Sequence, residues 1–355
     1  MALIISVIDA LRKSVESASG GRITVMYTAK GQASYMAVIP KFNIQDIDAS
    51  LGTGTHPMFI VGGVEKAYRY IGQFQGVIRN GELLSLPGED PASSINFDNA
   101  LATARANGAG WGLMTNADWA GISQTCWKNG TQPRGNTDYG RSSDNTTERG
   151  VDASTGMRAL ASGNATNRIR TGSGPVAWRH DASAFGIADL CGNVWEWSPG
   201  LRVNNDEIQI IPGNDAALVA TDMSATSTAW KAIDGATGAL VAPGSAGTVK
   251  YATSGTADYT LVRGSGQSFE GMTNPGATNP VSAAALQLLK QHGLFPVANF
   301  GLGSDNFYLT MTGERLPLRG GYWINGATAG VFALSLNDVR SVAYSSIGCR
   351  PAFVS

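Results

Sequence analysis

The sequence predicts an α+β fold, a loop-rich mixed domain with two helices, preceded by a small N-terminal module. Hydrophobic residues make up 43% of the 355 residues, which is enough to form a sizeable core. The 45 glycines, among many small polar residues, indicate that turns and irregular backbone carry much of the fold. Helical and strand-like spacings both occur in short, separate segments. Together these observations favour a mixed domain over an all-helical or a regular repeat architecture.

Residues 1–55 are assigned to an N-terminal attachment or oligomerisation module. Helical spacing over residues 3–17 is set by Ile4, Val7, Ile8, Leu11 and Val15, and it ends before Gly20 and Gly21. This amphipathic helix suits packing onto its own domain, which we favour, or trimerisation and docking. Two apolar runs, 23–27 and 35–39, flank a polar turn and predict a hairpin.

Residues 56–355 are assigned to one ligand-binding domain. Strand-like runs at 58–61 and 70–74 open it, and two helices follow. Asn96 can cap the first, which ends at Asn107-Gly108, and Thr115 with Asp118 can begin the second, which runs to Gly130. Residues 129–175 read as long polar loops. An insertion is expected at about 200–312, with a helix between residues 280 and 292.

The C-terminal stretch 318–353 alternates large apolar residues with small or polar ones. Phe332, Leu334 and Leu336 occur at every second position, so in a strand they share one face, while Ala333, Ser335 and Asn337 share the other. We expect the first face to be anchored in the core and the second to be free to bind.

Three segments resemble one known family. Residues 185–197, FGIADLCGNVWEW, resemble the G-[LI]-x-D-x-x-G-N-V-W-E-W signature of formylglycine-generating enzymes and their relatives. Residues 109–119, AGWGLMTNADW, resemble the helix start that precedes this signature in the family, and the C-terminal stretch follows in the same order. The resemblance covers roughly residues 59–353 and implies a C-type lectin-like fold of the formylglycine-generating-enzyme type.

Within that superfamily the chain most resembles the variable proteins of diversity-generating retroelements, in which selected C-terminal codons are rewritten. The resemblance implies a variable region at 318–353. It assigns as variable, ligand-contacting residues Tyr322, Ile324, Asn325, Thr328, Ser335, Asn337, Asp338, Val342, Ala343, Tyr344, Ser345 and Ser346. It assigns to a constant structural framework Trp195, Trp197, Arg319, Trp323, Arg340 and Arg350.

The function implied is that of a non-enzymatic receptor-binding protein with a diversified surface, used by a phage tail to attach to host cells. Its partners would be a host-surface protein or glycan and other tail components, and a homotrimer would add avidity. It would be made in the bacterial cytoplasm and carried in the virion. A cell-surface adhesin is an alternative that the missing export signal disfavours.

An oxidoreductase of the formylglycine-generating class is the second alternative. Those enzymes use a copper site built from two cysteines near the C-terminus, because soft thiolates select Cu(I). Residues 318–355 hold only Cys349, and the three histidines lie far apart in the sequence, so we expect neither a catalytic residue nor a cofactor. The oxygen-rich loops leave room for a structural Ca²⁺ but no ligand spacing specifies one.

Composition bounds the remaining classes of partner. The net charge is -1 and charged residues make up 15%, so no general attraction to nucleic acid is expected. No apolar run approaches the roughly twenty residues that a membrane span requires, so we expect no membrane insertion. Three cysteines are too few for a disulfide scaffold.

Overall fold

The computed structural model of the protein describes residues 9–162 and 166–355. Its four α-helices in those ranges are α1 (Ala10–Ser19), α2 (Phe97–Arg105), α3 (Asn116–Asn129) and α4 (Ala283–Gln291). Within the same ranges every helix is too short or insufficiently apolar to cross a bilayer. Of the helical pattern predicted for residues 3–17, Ile4, Val7 and Ile8 lie outside the described residues, and α1 ends at the left-handed Gly20.

The strands are short and numerous. In chain order they are β1 (Ile23–Tyr27), β2 (Ala33–Pro40), β3 (Ile60–Val61), β4 (Val64–Glu65), β5 (Tyr68–Gly72), β6 (Gly76–Arg79), β7 (Glu82–Ser85), β8 (Trp111–Leu113), β9 (Trp195–Trp197), β10 (Leu201–Asn204), β11 (Glu207–Ile210), β12 (Lys231–Ile233), β13 (Leu240–Val241), β14 (Lys250–Ala252), β15 (Thr260–Val262), β16 (Phe307–Leu309), β17 (Glu314–Arg315), β18 (Leu318–Gly320), β19 (Gly330–Leu336), β20 (Ile347–Gly348) and β21 (Pro351–Phe353).

The predicted N-terminal hairpin forms, and it belongs to the same sheet as the C-terminus. The strand order of this antiparallel sheet is β1-β2-β5-β21-β8. Met36 lies opposite Gly72 in β5, and Ala352 in β21 lies opposite Ile71. The sheet therefore continues across residue 55, where the sequence suggested a module boundary. A role of residues 1–55 in attachment or oligomerisation stays a prediction.

The helix starts and stops follow local capping chemistry. The Thr115 hydroxyl accepts from the Asp118 amide at 3.0 Å, and the Asp118 carboxylate accepts from the Thr115 amide at 3.1 Å, which is a complete capping box. Gly130 ends α3 with φ +64°, a conformation that favours glycine. Asn96 caps the start of α2, where its side-chain oxygen accepts from the Asn99 amide at 2.9 Å. These predicted helices are confirmed. The strand predicted at 58–61 is partly wrong, because residues 57–59 form a 3-10 turn before β3.

The central sheet, with strand order β16-β19-β18-β9-β20, unites the insertion, the GNVWEW segment and the C-terminal stretch. Strand β19 is interior, since β16 pairs with it on one side and β18 on the other. One hydrophobic cluster covers the face that bears Phe332, Leu334 and Leu336, and a second cluster contains Ala333 on the opposite face. Both faces of this sheet are therefore packed.

The insertion folds into a sheet of its own, with strand order β13-β12-β11-β10-β17, in which β14 pairs with β11 and β15 pairs with β14. The predicted helix appears as α4, which packs against α3, where the Gln124 amide nitrogen donates to the Lys290 carbonyl at 2.7 Å. The insertion ends in β16, so it contributes an edge strand to the central sheet. Residues 129–162 and 166–175 hold isolated bridges and turns, as their polar composition predicts.

Candidate functional site

The expectation that the second face of β19 is open is wrong. Ala333 is buried, and Ser335 keeps only 5% of its surface exposed. Three half-buried side chains, Tyr308, Tyr322 and Val342, pack against the cluster that contains Ala333. Sheets with parallel pairing, such as that between β16 and β19, are usually covered on both faces. Here the covering side chains are what solvent meets. The displayed surface therefore lies one layer above the strand and in the loops that follow it.

Eleven of the twelve candidate variable residues reach the surface. Exposed or half-buried side chains are those of Tyr322, Ile324, Asn325, Thr328, Asn337, Asp338, Val342, Ala343, Tyr344, Ser345 and Ser346, and Ser335 is the buried exception. They occupy two loops, 321–329 and 337–346, that follow β18 and β19. Tyr344 is 60% exposed and Ile324 is 43% exposed, so both side chains offer apolar area to a partner.

Backbone hydrogen bonds hold both loops in place. The Gly326 amide donates to the Thr137 carbonyl at 2.9 Å, and the Tyr139 amide donates to the Trp323 carbonyl at 2.8 Å. In the second loop, the Tyr344 carbonyl accepts from the Ser94 amide at 3.0 Å and the Ser346 carbonyl accepts from the Trp195 amide at 2.8 Å. Because main-chain groups make these contacts, most side chains there can change without removing them.

Some candidate residues also have structural roles. The Asn325 side-chain oxygen accepts from the Tyr322 amide at 2.9 Å, which closes the turn. The Thr328 hydroxyl donates to the Asn325 carbonyl at 2.8 Å and lies 3.2 Å from the Tyr308 hydroxyl. The Asn337 side-chain oxygen accepts from the Thr310 hydroxyl at 3.0 Å. Substitution at these positions therefore changes local loop geometry as well as surface chemistry.

The framework residues lie in or next to the strands that flank these loops, except Trp323 and Arg340, which lie within the loops. Trp195, Trp197, Trp323, Arg319 and Arg350 are buried, and Arg340 is half-buried. Arg319 donates to the Asn116 side-chain oxygen at 2.6 and 3.2 Å and to the Gly293 carbonyl at 2.9 Å, which ties β18 to α3 and to the end of α4. Burial lowers the pKa of Arg319 to about 10. Arg340 pairs with Glu314 at 2.9 Å and with Asp98 at 2.6 Å.

The GNVWEW segment forms a buried polar centre. Arg350 donates to the two carboxylate oxygens of Glu196 at 2.6 and 2.9 Å, and the Gln75 side-chain amide donates to the same carboxylate at 3.1 Å. Side chains that are distant in the sequence therefore hold this carboxylate. Asn193 donates to Gln75 at 2.7 Å and accepts from the Ile169 amide at 2.9 Å. The motif therefore anchors the polar loops to the sheets.

Sequence reasoning missed Tyr308 as part of this surface. Its ring meets Trp195 edge-on, with ring centroids 6.1 Å apart, and it lies opposite Ser335 in the β16–β19 pair. Tyr322 packs over the same cluster, and burial raises its pKa, with Tyr308 and Tyr139 nearby adding to the shift. The alternation Phe307-Tyr308-Leu309 was a usable signal, but only the fold places it beside the C-terminal stretch.

The thiols and histidines of the described residues are buried or half-buried. All three cysteines lie in the described ranges, where each is buried and free, and burial raises the pKa of each thiol. Within residues 9–162 and 166–355, no three His, Cys, Asp or Glu side chains cluster as a metal site. His56 and His292 are buried, and burial lowers their pKa values to about 3 and about 4. These three thiols and two imidazoles are therefore part of the buried interior.

Comparisons with known proteins agree with the motif-based resemblance. Residues 64–239 match the family model of the sulfatase-modifying factor enzyme 1-like domain, and the predicted α+β, C-type lectin-like fold is confirmed. No curated protein sequence matches the chain.

Three solved structures are similar over most of the chain. Treponema denticola variable protein 1 has 13% identity and a TM-score of 0.36, with 93% of this chain and 98% of that chain covered. The U1 variant of Major Tropism Determinant has 10% identity and a TM-score of 0.31, covering 93% and 71%. Its P3c variant has 11% identity and a TM-score of 0.30, covering 93% and 61%.

Proposed function

We propose that this chain, whose residues 64–239 form a sulfatase-modifying factor enzyme 1-like domain, is a non-enzymatic receptor-binding protein with a changeable C-terminal surface. One observation carries the proposal. Within residues 318–353, side chains that hold the fold are buried, whereas eleven candidate variable side chains lie exposed or half-buried in two anchored loops. A protein that must alter what it binds while keeping its fold requires this separation.

The chemistry of the surface suits recognition of another macromolecule. Tyr322, Tyr344 and Ile324 offer apolar contact area, and tyrosine does so at low entropic cost. Asn337, Ser345 and Ser346 add adaptable hydrogen-bonding groups. Exposed aromatic residues beside small polar ones are the composition found in antibody paratopes. This supports contact with a protein or glycan on a host surface.

The packing supports tolerance to substitution. Exposed positions away from caps and buried networks usually change stability by within about 0.5 kcal/mol, whereas core substitutions cost several times more. Tyr344, Ala343 and Ser345 are exposed, and their loop is held through main-chain bonds from Ser94 and Trp195. A diversified set at these positions would therefore leave the fold intact.

An enzymatic role of the formylglycine-generating kind is not supported by the thiol chemistry. A Cu(I) site of that class needs two thiolates, and Cys349 alone lies in the C-terminal stretch. Burial, with Glu196 nearby, raises the pKa of the Cys349 thiol, so the protonated form is favoured at neutral pH. Elemental analysis of the purified protein after copper loading tests this alternative, since stoichiometric copper would favour it.

We place the protein on a phage tail, with other tail components and a host-surface receptor as partners. The N-terminal region would join it to the virion, and trimerisation would strengthen weak individual contacts through avidity. A cellular adhesin would use the same surface. Neighbouring genes distinguish the two, because tail genes or a reverse transcriptase beside this gene favour the first.

The experiment that tests the proposal is sequencing of codons 318–355 in many clones of the source population. Substitutions should concentrate at the eleven exposed or half-buried positions, and Ser335 should vary only among small residues because it is buried. Codons for Trp323, Phe332 and Arg350 in the same reads serve as the internal control and should stay fixed. A uniform stretch, or substitutions spread equally over buried and exposed codons, would overturn the proposal.

A further inference from the structure

A cavity of about 410 Å³ lies beside the first displayed loop. Its wall includes Ala327 and Ala329 from that loop, Val331 from β19, and Cys191 from the GNVWEW segment. Two acidic residues also line the cavity: Asp305, which precedes β16, and Asp144, from the polar loops. The volume is in the range of small-ligand and side-chain pockets.

Asp305 is the unusual member of this cavity. Only 7% of its surface is exposed, and one carboxylate oxygen, Oδ2, accepts from the Phe332 amide at 2.7 Å. The Ala333 amide lies near enough to act as a second backbone donor to this carboxylate, whereas within residues 9–162 and 166–355 no side chain donates to it and no cation pairs with it. A buried carboxylate without a cation is costly unless a partner arrives, and such groups are usually satisfied.

The backbone makes room for this carboxylate. A Cβ atom at Gly330 would overlap both Asp305 oxygens, and one at Gly303 would lie 3.1 Å from Oδ1. Gly330, the first residue of β19, therefore leaves the space that the Asp305 carboxylate fills. The arrangement holds the acid in a fixed position instead of letting it turn out into water.

The charges around the cavity favour a cation. Arg134 also lines it, but this guanidinium is already paired with both carboxylate oxygens of Glu148. Asp144 lies exposed, and in the described ranges it forms no salt bridge, so its negative charge adds to that of Asp305. Burial, with smaller contributions from the charges of Asp144 and Glu270, raises the pKa of Asp305 to about 7. A bound cation would reverse that shift.

We propose that this cavity binds an alkylammonium group, of the kind a lysine side chain of the receptor presents, with Asp305 Oδ1 as its acceptor. This inference rests on the proposed receptor-binding function. Because Oδ2 is occupied by the Phe332 amide, the carboxylate offers one oxygen, which suits a point-charge ammonium better than the two-pronged guanidinium of arginine. The methylene stem would lie along Ala327, Ala329 and Val331.

The test is saturation-transfer NMR on the full chain with Nα-acetyl-lysine methylamide as probe. Its neutral counterpart, Nα-acetyl-norleucine methylamide, has the same stem without the charge. We expect binding of the lysine probe at pH 8, about ten-fold weaker at pH 5.5 because Asp305 is then protonated, and little binding of the norleucine probe. An arginine probe should bind more weakly than lysine.

Variants separate this site from general charge effects. Asp305→Asn should lose the lysine probe and most of the pH dependence, while the Asn oxygen still accepts from the Phe332 amide. Asp258→Asn removes an exposed carboxylate in the insertion and should bind the probe as the parent does. Because Asp144, Glu270, Glu148, Arg134 and Cys191 also face the region, any pH dependence that remains in Asp305→Asn measures their contribution.

Two outcomes would overturn the inference: equal saturation of the lysine and norleucine probes, or unchanged lysine binding in Asp305→Asn with the fold intact. If Asp305→Asn unfolds, Asp144→Asn and the pH comparison on the parent protein decide the question. The probe measures the cavity without a receptor, so its failure is distinct from failure of the proposed function. A uniform C-terminal stretch in the source population would refute the receptor proposal and leave this result unaffected.

Discussion

Replacing Arg350 with methionine should show how much of the fold depends on the buried centre beneath the displayed loops. Arg350 makes two charged hydrogen bonds to Glu196, one bond to the Gly72 carbonyl at 3.0 Å and one to the Ala188 carbonyl at 2.9 Å. Both side chains of the ion pair are buried. After the substitution, Gln75 is the one side-chain donor to Glu196 that stays among the described residues.

The expected loss of unfolding free energy follows from the burial of this ion pair. Removing one partner of a buried ion pair costs about 3–5 kcal/mol, because the remaining charge stays away from water. Two carbonyl acceptors also lose their donor, which adds cost, and the total stability of a domain is only about 5–15 kcal/mol. We therefore expect Arg350→Met to lower the free energy of unfolding by about 4 kcal/mol or more. The double variant with Glu196→Gln should regain part of this stability.

Arg168 provides a matched control, because it also donates to both oxygens of a carboxylate, Asp90, at 2.8 and 2.9 Å. That pair is on the surface, with 25% and 47% of the two side chains exposed, so Arg168→Met should cost about 1 kcal/mol or less. Urea unfolding followed by tryptophan fluorescence gives both values. Equal losses for Arg350→Met and Arg168→Met would refute the role assigned to burial.

Three further predictions concern stability. Ser335→Asp should lower the urea midpoint strongly because the side chain is buried. Tyr344→Ser should change the unfolding free energy by about 0.5 kcal/mol or less, because Tyr344 is exposed. Similar losses for the two variants would contradict the assignment of Tyr344 to the displayed surface. His56 and His292 have folded pKa values of about 3 and about 4, below the usual 6.5, so they stay neutral in the fold while the unfolded chain takes up protons. Stability should therefore fall as pH drops below about 6.5, by about 1–2 kcal/mol per histidine at pH 5, and His56→Gln should weaken this dependence in unfolding measured across pH; an unchanged slope would be evidence against it. Asp305 has the opposite sign, because its folded pKa of about 7 lies above the usual 3.8 for the unfolded chain, so ionisation costs stability as pH rises. Asp305→Asn should raise the unfolding free energy at pH 8 by about 2 kcal/mol or more and change it little at pH 4, and a destabilised variant at pH 8 would contradict the assignment.

Local features of the fold were predictable from the sequence. The Thr115–Asp118 capping box, Gly130 at the end of α3 and the helix at 283–291 depend on residues within a few positions of each other. The N-terminal hairpin was predictable for the same reason, since two alternating runs flank a short turn. In these elements neighbouring residues alone determine the structure.

Long-range pairing was not predictable from spacing. Arg350 meets Glu196 across 154 residues, and β16 pairs with β19 although β17 and β18 lie between them in the chain. The alternation around Phe332 gave the correct two faces, but no local pattern shows that Tyr308 and Tyr322 cover the second one. Asp305 was missed because its significance depends on the cavity around it, which residues from four separate segments create.

The most direct test of a changeable surface on a fixed framework is a comparison of two displayed libraries. One randomises the eleven exposed or half-buried candidate positions of residues 318–353, and the other randomises buried positions of the same stretch, including Trp323, Phe332 and Leu334. We predict that most members of the first library resist protease as the parent does and that binders emerge against a panel of purified proteins, while the second library loses protease resistance. Equal loss of resistance in both libraries, or no binders from a folded first library, would contradict the account.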